Sequence, residues 1–338
     1  MGVGRYILAR IGATVPMIWV LLTLVFVVLR VLPGDPALAM LGGHAVPQAT
    51  IDNLRRQLGL DRPLIVQYGD YLWGVLHGNL GQSSRTGHLV LQDVLAHLPA
   101  TLELAACALV VAALVGLVSG VFAATHADGP GDHAMRLLNI AAFATFIPWV
   151  GIMLKLIFSV TLHWLPTGDR LDPMNSILFT PITHFYLLDA LLERDWGVLR
   201  DALTHLVLPS VTLGLVLSGF VGRVTRAGTL EVLGQDYVRT ARAKGLSGGQ
   251  VVRRHVLRNT MIPVVTVIGL QFALLMAGAI LTETTFNWPG VARYLLDSIR
   301  ARDFAAIQGT VVVIGLFVTS VNLLVDVAYA WIDPRVKY

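Results

Sequence analysis

Charge is scarce in this chain. Of its 338 residues, 14% are Asp, Glu, Lys or Arg, 55% are hydrophobic, and the mean hydropathy is +0.69. A soluble domain carries nearer a quarter charged residues, so the composition demands a membrane. Cysteine is almost missing as well. Cys107 stands alone in an apolar run, which excludes an internal disulfide and suits a buried structural role. Several chemical signatures are also absent. No Gly-x-x-x-x-Gly-Lys-Ser/Thr loop occurs, so the chain is not expected to cradle nucleotide phosphates itself. Neither His-Glu-x-x-His nor Gly-x-Ser-x-Gly is present, and no catalytic residue, cofactor or metal ligand set is expected. The ten histidines are scattered: His126 and His133 flank one short loop, while His184 and His205 sit in another, without ligand spacing. No internal repeat, low-complexity tract or nucleic-acid motif is found. The net charge of +4 is modest, and its basic residues gather at the ends of apolar runs. That favours topology signalling and contact with lipid headgroups over nucleic-acid binding.

What the chain has is long apolar runs. A spanning helix needs about 20 mainly apolar residues, and six segments qualify: Ile7 to Leu32, Thr101 to Thr125, Met135 to Leu165, His205 to Val224, Thr260 to Glu283, and Phe304 to Ile332. The fold class expected is therefore an all-α integral membrane protein of six transmembrane helices. The first run is too long for a signal peptide and no small-x-small site follows it, so it is read as a retained anchor. Arg5 and Arg10 stand at the start of the first span, Arg335 and Lys337 follow the last, and Arg223, Arg226, Arg239, Arg242, Lys244, Arg253, Arg254 and Arg258 run from the end of the fourth span through the loop to the fifth. With an even span number, all three regions fall on one side, and the positive-inside bias makes it cytoplasmic.

The segments on the opposite side are Pro33 to Pro99, Pro166 to Thr204, and a short loop around Thr284 to Asp303. The first reads as a small external subdomain. Ile51, Leu54 and Leu58 share a helical face, with Thr50 placed to cap it and Gly59 to stop it. Tyr68, Tyr71, Leu72, Trp73 and Leu76 suit a helix lying at the membrane interface, and Gly78-Asn79-Leu80-Gly81 reads as a turn. The chain thus divides into 1–32 (cytoplasmic N-terminus and first span), 33–99 (external subdomain), 100–333 (a core with five spans, an external insertion 165–204 and a cytoplasmic loop 225–259) and 334–338 (cytoplasmic tail).

Ionisable groups inside spans are expensive and functional by default. Arg30, Glu103 and Glu283 lie near span ends, where snorkelling is cheap. Asp326 is placed to pair with a basic group of a neighbouring helix. Lys155 is the outlier, well inside the third span and beyond a kink expected at Pro148. It either lines a polar cavity, as a candidate translocation-path residue, or pairs with a carboxylate of a partner subunit. Ala112, Gly116 and Gly120 recur every fourth position and allow a second helix close approach. Gly214, Gly219 and Gly222 in the fourth span, and Gly269 and Gly278 in the fifth, suit helices that shift against their neighbours.

The basic loop carries the most information. Asp236, Tyr237, Val238, Arg239, Thr240, Ala241, Arg242, Ala243 and Lys244 form a short helix that Gly245 stops. Val251, Val252, His255 and Val256 start a second helix leading into the membrane at Pro263. The spacing puts Tyr237, Ala241 and Lys244 near one face, with small side chains that allow docking in a partner's groove and Tyr237 and the arginines as anchors.

This loop resembles the coupling loop of ABC-importer permeases, in the form carried by the dipeptide/oligopeptide (peptide/nickel) class. Three further stretches share the resemblance: Leu32-Pro33-Gly34-Asp35-Pro36, Leu257-Arg258-Asn259-Thr260-Met261-Ile262-Pro263, and Thr282 to Gly290, with Asp333-Pro334-Arg335 closing the chain. Against the broader signature Glu-Ala-Ala-x-x-x-Gly, Arg239 and Thr240 replace Glu and the first Ala, and only Ala241 and Gly245 match. Peptide-class permeases share that departure. The resemblance implies the type I ABC importer permease fold in a bacterial inner membrane, and a non-enzymatic chain. It also implies a second homologous permease, an external peptide-binding protein, and two cytoplasmic ATPase subunits that bind ATP and Mg. The substrate implied is a dipeptide or short peptide moved by alternating access, with Ala241 lying against an ATPase. Phe286, Asn287, Trp288, Pro289 and Gly290 would form an external loop that faces the binding protein; an interfacial aromatic anchor is the other reading of it. The long insertion looks more like dipeptide permeases than shorter relatives. Glutathione, nickel or haem cargo, and an ATP-independent secondary transporter, stand as alternatives.

Overall fold

The computed structural model describes residues 3–31, 47–57 and 59–332. The Leu32–Pro36 motif and the Asp333–Arg335 closing motif lie outside the described residues, as does the side chain of Asp326. The described chain is helical, with one isolated β-bridge between Gln82 and Leu89. In chain order the helices are α1 (Val3–Val31), α2 (Gln48–Gln57), α3 (Leu64–Leu76), α4 (Val90–Thr125), α5 (Pro130–Ala144), α6 (Ile147–Leu154), α7 (Pro173–Leu178), α8 (Tyr186–Leu192), α9 (Trp196–Leu233), α10 (Asp236–Ala243), α11 (Gly248–Val251), α12 (Leu257–Thr285), α13 (Val291–Arg300) and α14 (Phe304–Ile332). Two π-helical stretches interrupt the series, Lys155–Thr161 after α6 and Val252–Val256 before α12.

Among the described residues, four helices are long and apolar enough to cross a membrane, and a bent pair makes a fifth span if counted as one. The four are Arg10–Arg30, Val90–Thr125, Trp196–Leu233 and Phe304–Val325. The bent pair corrects the third predicted span. It is no single rod: Pro130–Ala144 and Ile147–Thr161 meet at 101°. The break comes at Thr145 and Phe146, just before Pro148, which sits in the first turn of α6 where its missing N–H costs nothing. The remaining predicted span, Thr260 to Glu283, coincides with α12, 29 residues long. Two spans start earlier than their apolar runs. α4 begins at Val90 and carries Pro99 inside it, and α9 begins at Trp196, where the Asp195 carboxylate accepts from the Val198 N–H at 3.0 Å. The segment read as a loop around Thr284 to Asp303 holds α13.

The chain divides into two compact units. Within the first (1–99 and 290–327 of the described chain), Leu22, Val25 and Val312 form a core with Tyr71, Leu72 and Val75 packed against it. Tyr68 and Tyr71, expected at a membrane interface, turn onto Phe26 instead, with ring centroids 5.2 and 5.7 Å away. Trp73 and Leu76 do face outward. Burial pushes the Tyr71 hydroxyl up to about 12. Asp93 accepts from Thr86 Oγ1 at 2.6 Å and from the buried Tyr294 hydroxyl at 3.0 Å.

Within the second unit (100–289), the core is Ala100, Leu104, Ala105, Ala108, Leu206, Leu213, Leu275 and Trp288. Here the small residues of α4 admit a second helix as expected, and that helix is α9, whose own glycines, read as serving movement, line the same contact. A Cβ on Gly116 would stand 2.6 Å from Val221 Cβ, and one on Gly120 would stand 2.6 Å from the Gly222 carbonyl. A Cβ on Gly214 would stand 2.7 Å from the Ala108 carbonyl. Backbone lies against backbone, the contact that small residues give to helices in lipid.

Candidate functional site

The basic elbow between α9 and α12 is built around a small core of its own. Gln235 leaves α9 in an extended conformation and α10 starts at Asp236. Val238 and Ala241, three residues apart, share one face. They are buried with Val251 and Val256, and Val232, Leu233 and Leu246 pack around them. Gly245 then stops the helix. Its φ of +85° is in the left-handed region, its N–H donates to the Arg242 carbonyl at 2.9 Å, and the Leu246 N–H reaches back to the Ala241 carbonyl at 3.4 Å. Nothing lies within 4 Å of where a Gly245 Cβ would stand, so glycine is required by backbone conformation and not by space.

This arrangement corrects one expectation. Ala241 faces inward onto the elbow's own valines, so its small side chain permits close packing within the chain. The outward surface belongs to Asp236, Tyr237, Arg239, Thr240, Arg242, Ala243 and Lys244, joined by Arg253, Arg254 and Arg258. The Arg239–Asp236 pair at 3.6 Å is solvated on both sides and contributes little, leaving the arginines available. Tyr237 is also fixed: its hydroxyl accepts from Asn259 Nδ2 at 2.6 Å, tying α10 to the first turn of α12. The Ser247 N–H donates to Gln250 Oε1 at 3.1 Å and starts α11.

Not every arginine counted for topology is a free surface charge. Arg226 grips Asp132 with a two-pronged fork, Nε to Oδ1 at 2.7 Å and Nη2 to Oδ2 at 2.5 Å. The Asp132 side chain has no solvent-accessible surface. It also accepts from the Asp128 N–H at 3.1 Å. The fork fastens the end of α9 to the first turn of α5, a few turns from the elbow. The pair is 94 residues apart in sequence, with no local spacing to announce it.

The aromatic turn after α12 is a second correction. Phe286 and Trp288 are buried to within 1% of full burial. The Trp288 indole N–H donates to the Ala100 carbonyl at 2.9 Å, and its backbone N–H donates to the Glu283 carbonyl at 2.8 Å. The cause is Asn287, whose φ of 55° reverses the chain and turns both flanking rings inward. Asn287 and Pro289 are exposed and Gly290 is buried. Trp288 is thus a core residue, neither a membrane-interface anchor nor a docking side chain. Any partner arriving here would meet Asn287 and Pro289.

The acidic residues read as snorkelling at span ends are also buried. Glu103 pairs with the buried Arg170 and accepts from the Leu187 N–H at 2.9 Å. Arg170 also donates to the His184 carbonyl at 3.1 Å and stacks on Tyr186, its guanidinium carbon 3.5 Å from the ring centroid. Glu283 is fully buried and accepts from Thr101 Oγ1 at 2.6 Å. Lys155 has a contact within the chain that neither expectation named. It is half-buried at the junction of α6 with the π-helical stretch, and its ammonium donates to the Thr285 carbonyl at 3.4 Å. That carbonyl belongs to the last turn of α12, where a helix presents negative partial charge.

The sequence comparisons converge. Residues 3–105 match the family described as the N-terminal part of a binding-protein-dependent transport system membrane component, and residues 116–338 match its inner membrane component. The di/tripeptide transport system permease protein DppB of Pseudomonas aeruginosa is 42% identical over 334 residues, covering 98% of each chain. The dipeptide transport system permease protein DppB of Escherichia coli K12 is 40% identical over 335 residues, 99% of each. Its namesake from Alkalihalophilus pseudofirmus is 37% identical over 333 residues, 98% of this chain and 99% of that protein. A crystal structure of an amino acid ABC transporter with histidines overlays with a TM-score of 0.46 at 13% identity, over 71% of this chain and 94% of that one. On the strength of the family match across both segments, the chain belongs to the inner membrane components of binding-protein-dependent transport systems, the permeases of ABC importers.

Proposed function

We propose that this permease imports dipeptides or tripeptides by alternating access, and that the outward face of α10 is where cytoplasmic ATPase subunits dock. The observation that carries the reading is the elbow: a short basic helix seated on its own valine core, with Tyr237, Arg239, Arg242 and Lys244 turned outward. A rigid mount is what a load-transmitting helix needs, and near full-length identity to dipeptide permeases supports the cargo. The chain itself is non-catalytic. ATP and Mg belong to two partner ATPases, and a second permease and a peptide-binding protein complete the machine. The density of Arg and Lys at the elbow supports a topology in which it lies, with both termini, in the cytoplasm of a bacterium.

The test is a complete complex in proteoliposomes. Arg239→Glu together with Arg242→Glu is expected to insert and fold normally, yet to lower ATP-driven dipeptide uptake and stimulated ATP hydrolysis roughly tenfold or more, as reversed charge at an interface does. Ala241→Glu is expected to act differently, lowering the yield of folded chain because the carboxylate would enter the valine core. Wild-type uptake and hydrolysis in the double charge reversal would remove α10 as the docking element.

Lys155 is proposed to face the peptide's route, where an ammonium held by the Thr285 carbonyl could meet a peptide carboxylate. Lys155→Met keeps the length and removes the charge. It is expected to assemble normally and to lower uptake of zwitterionic and anionic peptides several-fold. Unchanged uptake across a peptide panel would take Lys155 off the route, and loss of the second permease on purification would make it an assembly contact.

A further inference from the structure

Two arginines of the first compact unit stand where two membrane spans end. Arg30 closes the span Arg10–Arg30, and Arg302 comes just before the span Phe304–Val325. The two helices run antiparallel. Leu22 and Val25 of α1 meet Val312 of α14, and nearer the shared end Leu29 and Phe304 line one cavity. Among the described residues no carboxylate forms an ion pair with either arginine. Arg30 lies along Phe26 instead, its guanidinium carbon 5.3 Å from the ring centroid.

Both arginines line a cavity of about 180 Å³ with Gln82, Asp303 and Gln308. Asp303 is 1% exposed and its oxygens are already taken. Oδ2 accepts from Ser83 Oγ at 2.7 Å and from the Arg85 N–H at 3.2 Å, and Oδ1 accepts from the Ala306 N–H at 3.1 Å. Two guanidiniums and one carboxylate leave the cavity with one uncompensated positive charge.

This charged cavity adjoins two others. On one side, an apolar groove of about 440 Å³ lies between α1 and α14, lined by Leu24, Val28, Ile299 and Ile307, and it shares Leu29, Arg302 and Phe304 with the charged cavity. On the other side, sharing Arg30 and Gln308, is a polar cavity of about 290 Å³. Gln67 lines it with a fixed amide: Nε2 donates to the Leu60 carbonyl at 3.0 Å and to the Arg62 carbonyl at 2.7 Å. Its Oε1 is buried and receives no hydrogen bond among the described residues, an acceptor that a donor from a ligand would satisfy.

An apolar groove, a single positive charge and an acceptor in want of a donor, in that order, match the parts of one phospholipid. We propose that this site holds one phospholipid of net charge −1 with hydroxyl donors in its headgroup, the chemistry of phosphatidylglycerol. An acyl chain fills the groove between α1 and α14. The phosphate sits between Arg30 and Arg302, whose planar forks suit phosphate oxygens. The headgroup hydroxyls reach Gln67 Oε1. The lipid thereby wedges the shared end of α1 and α14 from the bilayer side.

The test uses the complete transporter complex, delipidated in detergent and titrated with phosphatidylglycerol or phosphatidylcholine of matched acyl chains, with bound lipid counted by native mass spectrometry. One phosphatidylglycerol is expected to stay bound where phosphatidylcholine is lost, and a photoactivatable acyl chain on it should label peptides of α1 and α14. Arg30→Gln together with Arg302→Gln is expected to assemble as wild type and to weaken retention of that lipid roughly tenfold or more, as loss of two cations facing an anionic lipid does. Arg300→Gln removes an exposed cation outside these cavities and should leave retention unchanged. Equal retention of the two lipids, labelling away from α1 and α14, or equal loss in Arg300→Gln and the double variant overturns the site.

Discussion

Trp288→Ala is expected to cost about 3–5 kcal/mol, the range for truncating a large buried aromatic, and to remove most folded chain from the membrane. Trp288 is 1% exposed among Ala100, Leu104 and Leu206, and its indole N–H holds the Ala100 carbonyl. Truncation would leave both a cavity and an orphaned acceptor. The measurement is resistance of the purified chain to chemical unfolding, beside its uptake activity. A docking or interface role predicts intact stability with a selective loss of partner-stimulated hydrolysis. Wild-type stability with that selective loss would reinstate the docking role. Trp288→Phe, which keeps one aromatic ring but is smaller than the indole and loses the N–H, is expected to fall between, by about 1–3 kcal/mol.

Glu103→Leu is expected to be comparably damaging, at about 3–5 kcal/mol, because it strands the buried Arg170 guanidinium without its counter-charge. The informative comparison is the double variant Glu103→Leu with Arg170→Met. Removing both charges is expected to recover most of the loss, because a buried pair often contributes little net stability against well-packed apolar residues. The stack on Tyr186 and the bond to the His184 carbonyl set what is not recovered. Measured unfolding of the two singles and the double closes the cycle. A double variant as unstable as the worse single would show that the pair's attraction is not what matters.

These two cases also mark where the sequence stops being readable. The apolar runs located the membrane helices because solvation by lipid is a local, additive property of 20 residues. Gly245 was legible as a stop because the left-handed conformation it adopts penalises almost any other residue. The short basic helix of the elbow was legible for the same kind of reason. Trp288 was not: its partner carbonyl lies 188 residues earlier, and an aromatic beside a membrane looks the same from either side. Arg170 lies 67 residues from Glu103 in a stretch read as an external insertion, so Glu103 looked like a cheap snorkelling acid. Ala241 was legible as a small residue needed for close packing. Which surface it packs against depended on the valines at 251 and 256 folding back, and helical spacing of one segment carries no record of that. His205 was assigned to a loop because the run of apolar residues starts there. The Asp195 cap moves the helix start to Trp196, which puts Asp201 one turn below it.

The glycine contacts between α4 and α9 have a consequence for genetics. Every amino acid that can replace Gly116, Gly120 or Gly214 brings a Cβ, and at each the space is already taken by a neighbouring helix. Alleles at these positions would therefore be scored first by whether any protein accumulates. A selection for peptide-starved cells would return them beside true transport alleles. Immunoblotting would separate the two sets, with these three codons contributing silent lanes whatever the helices do during a transport cycle.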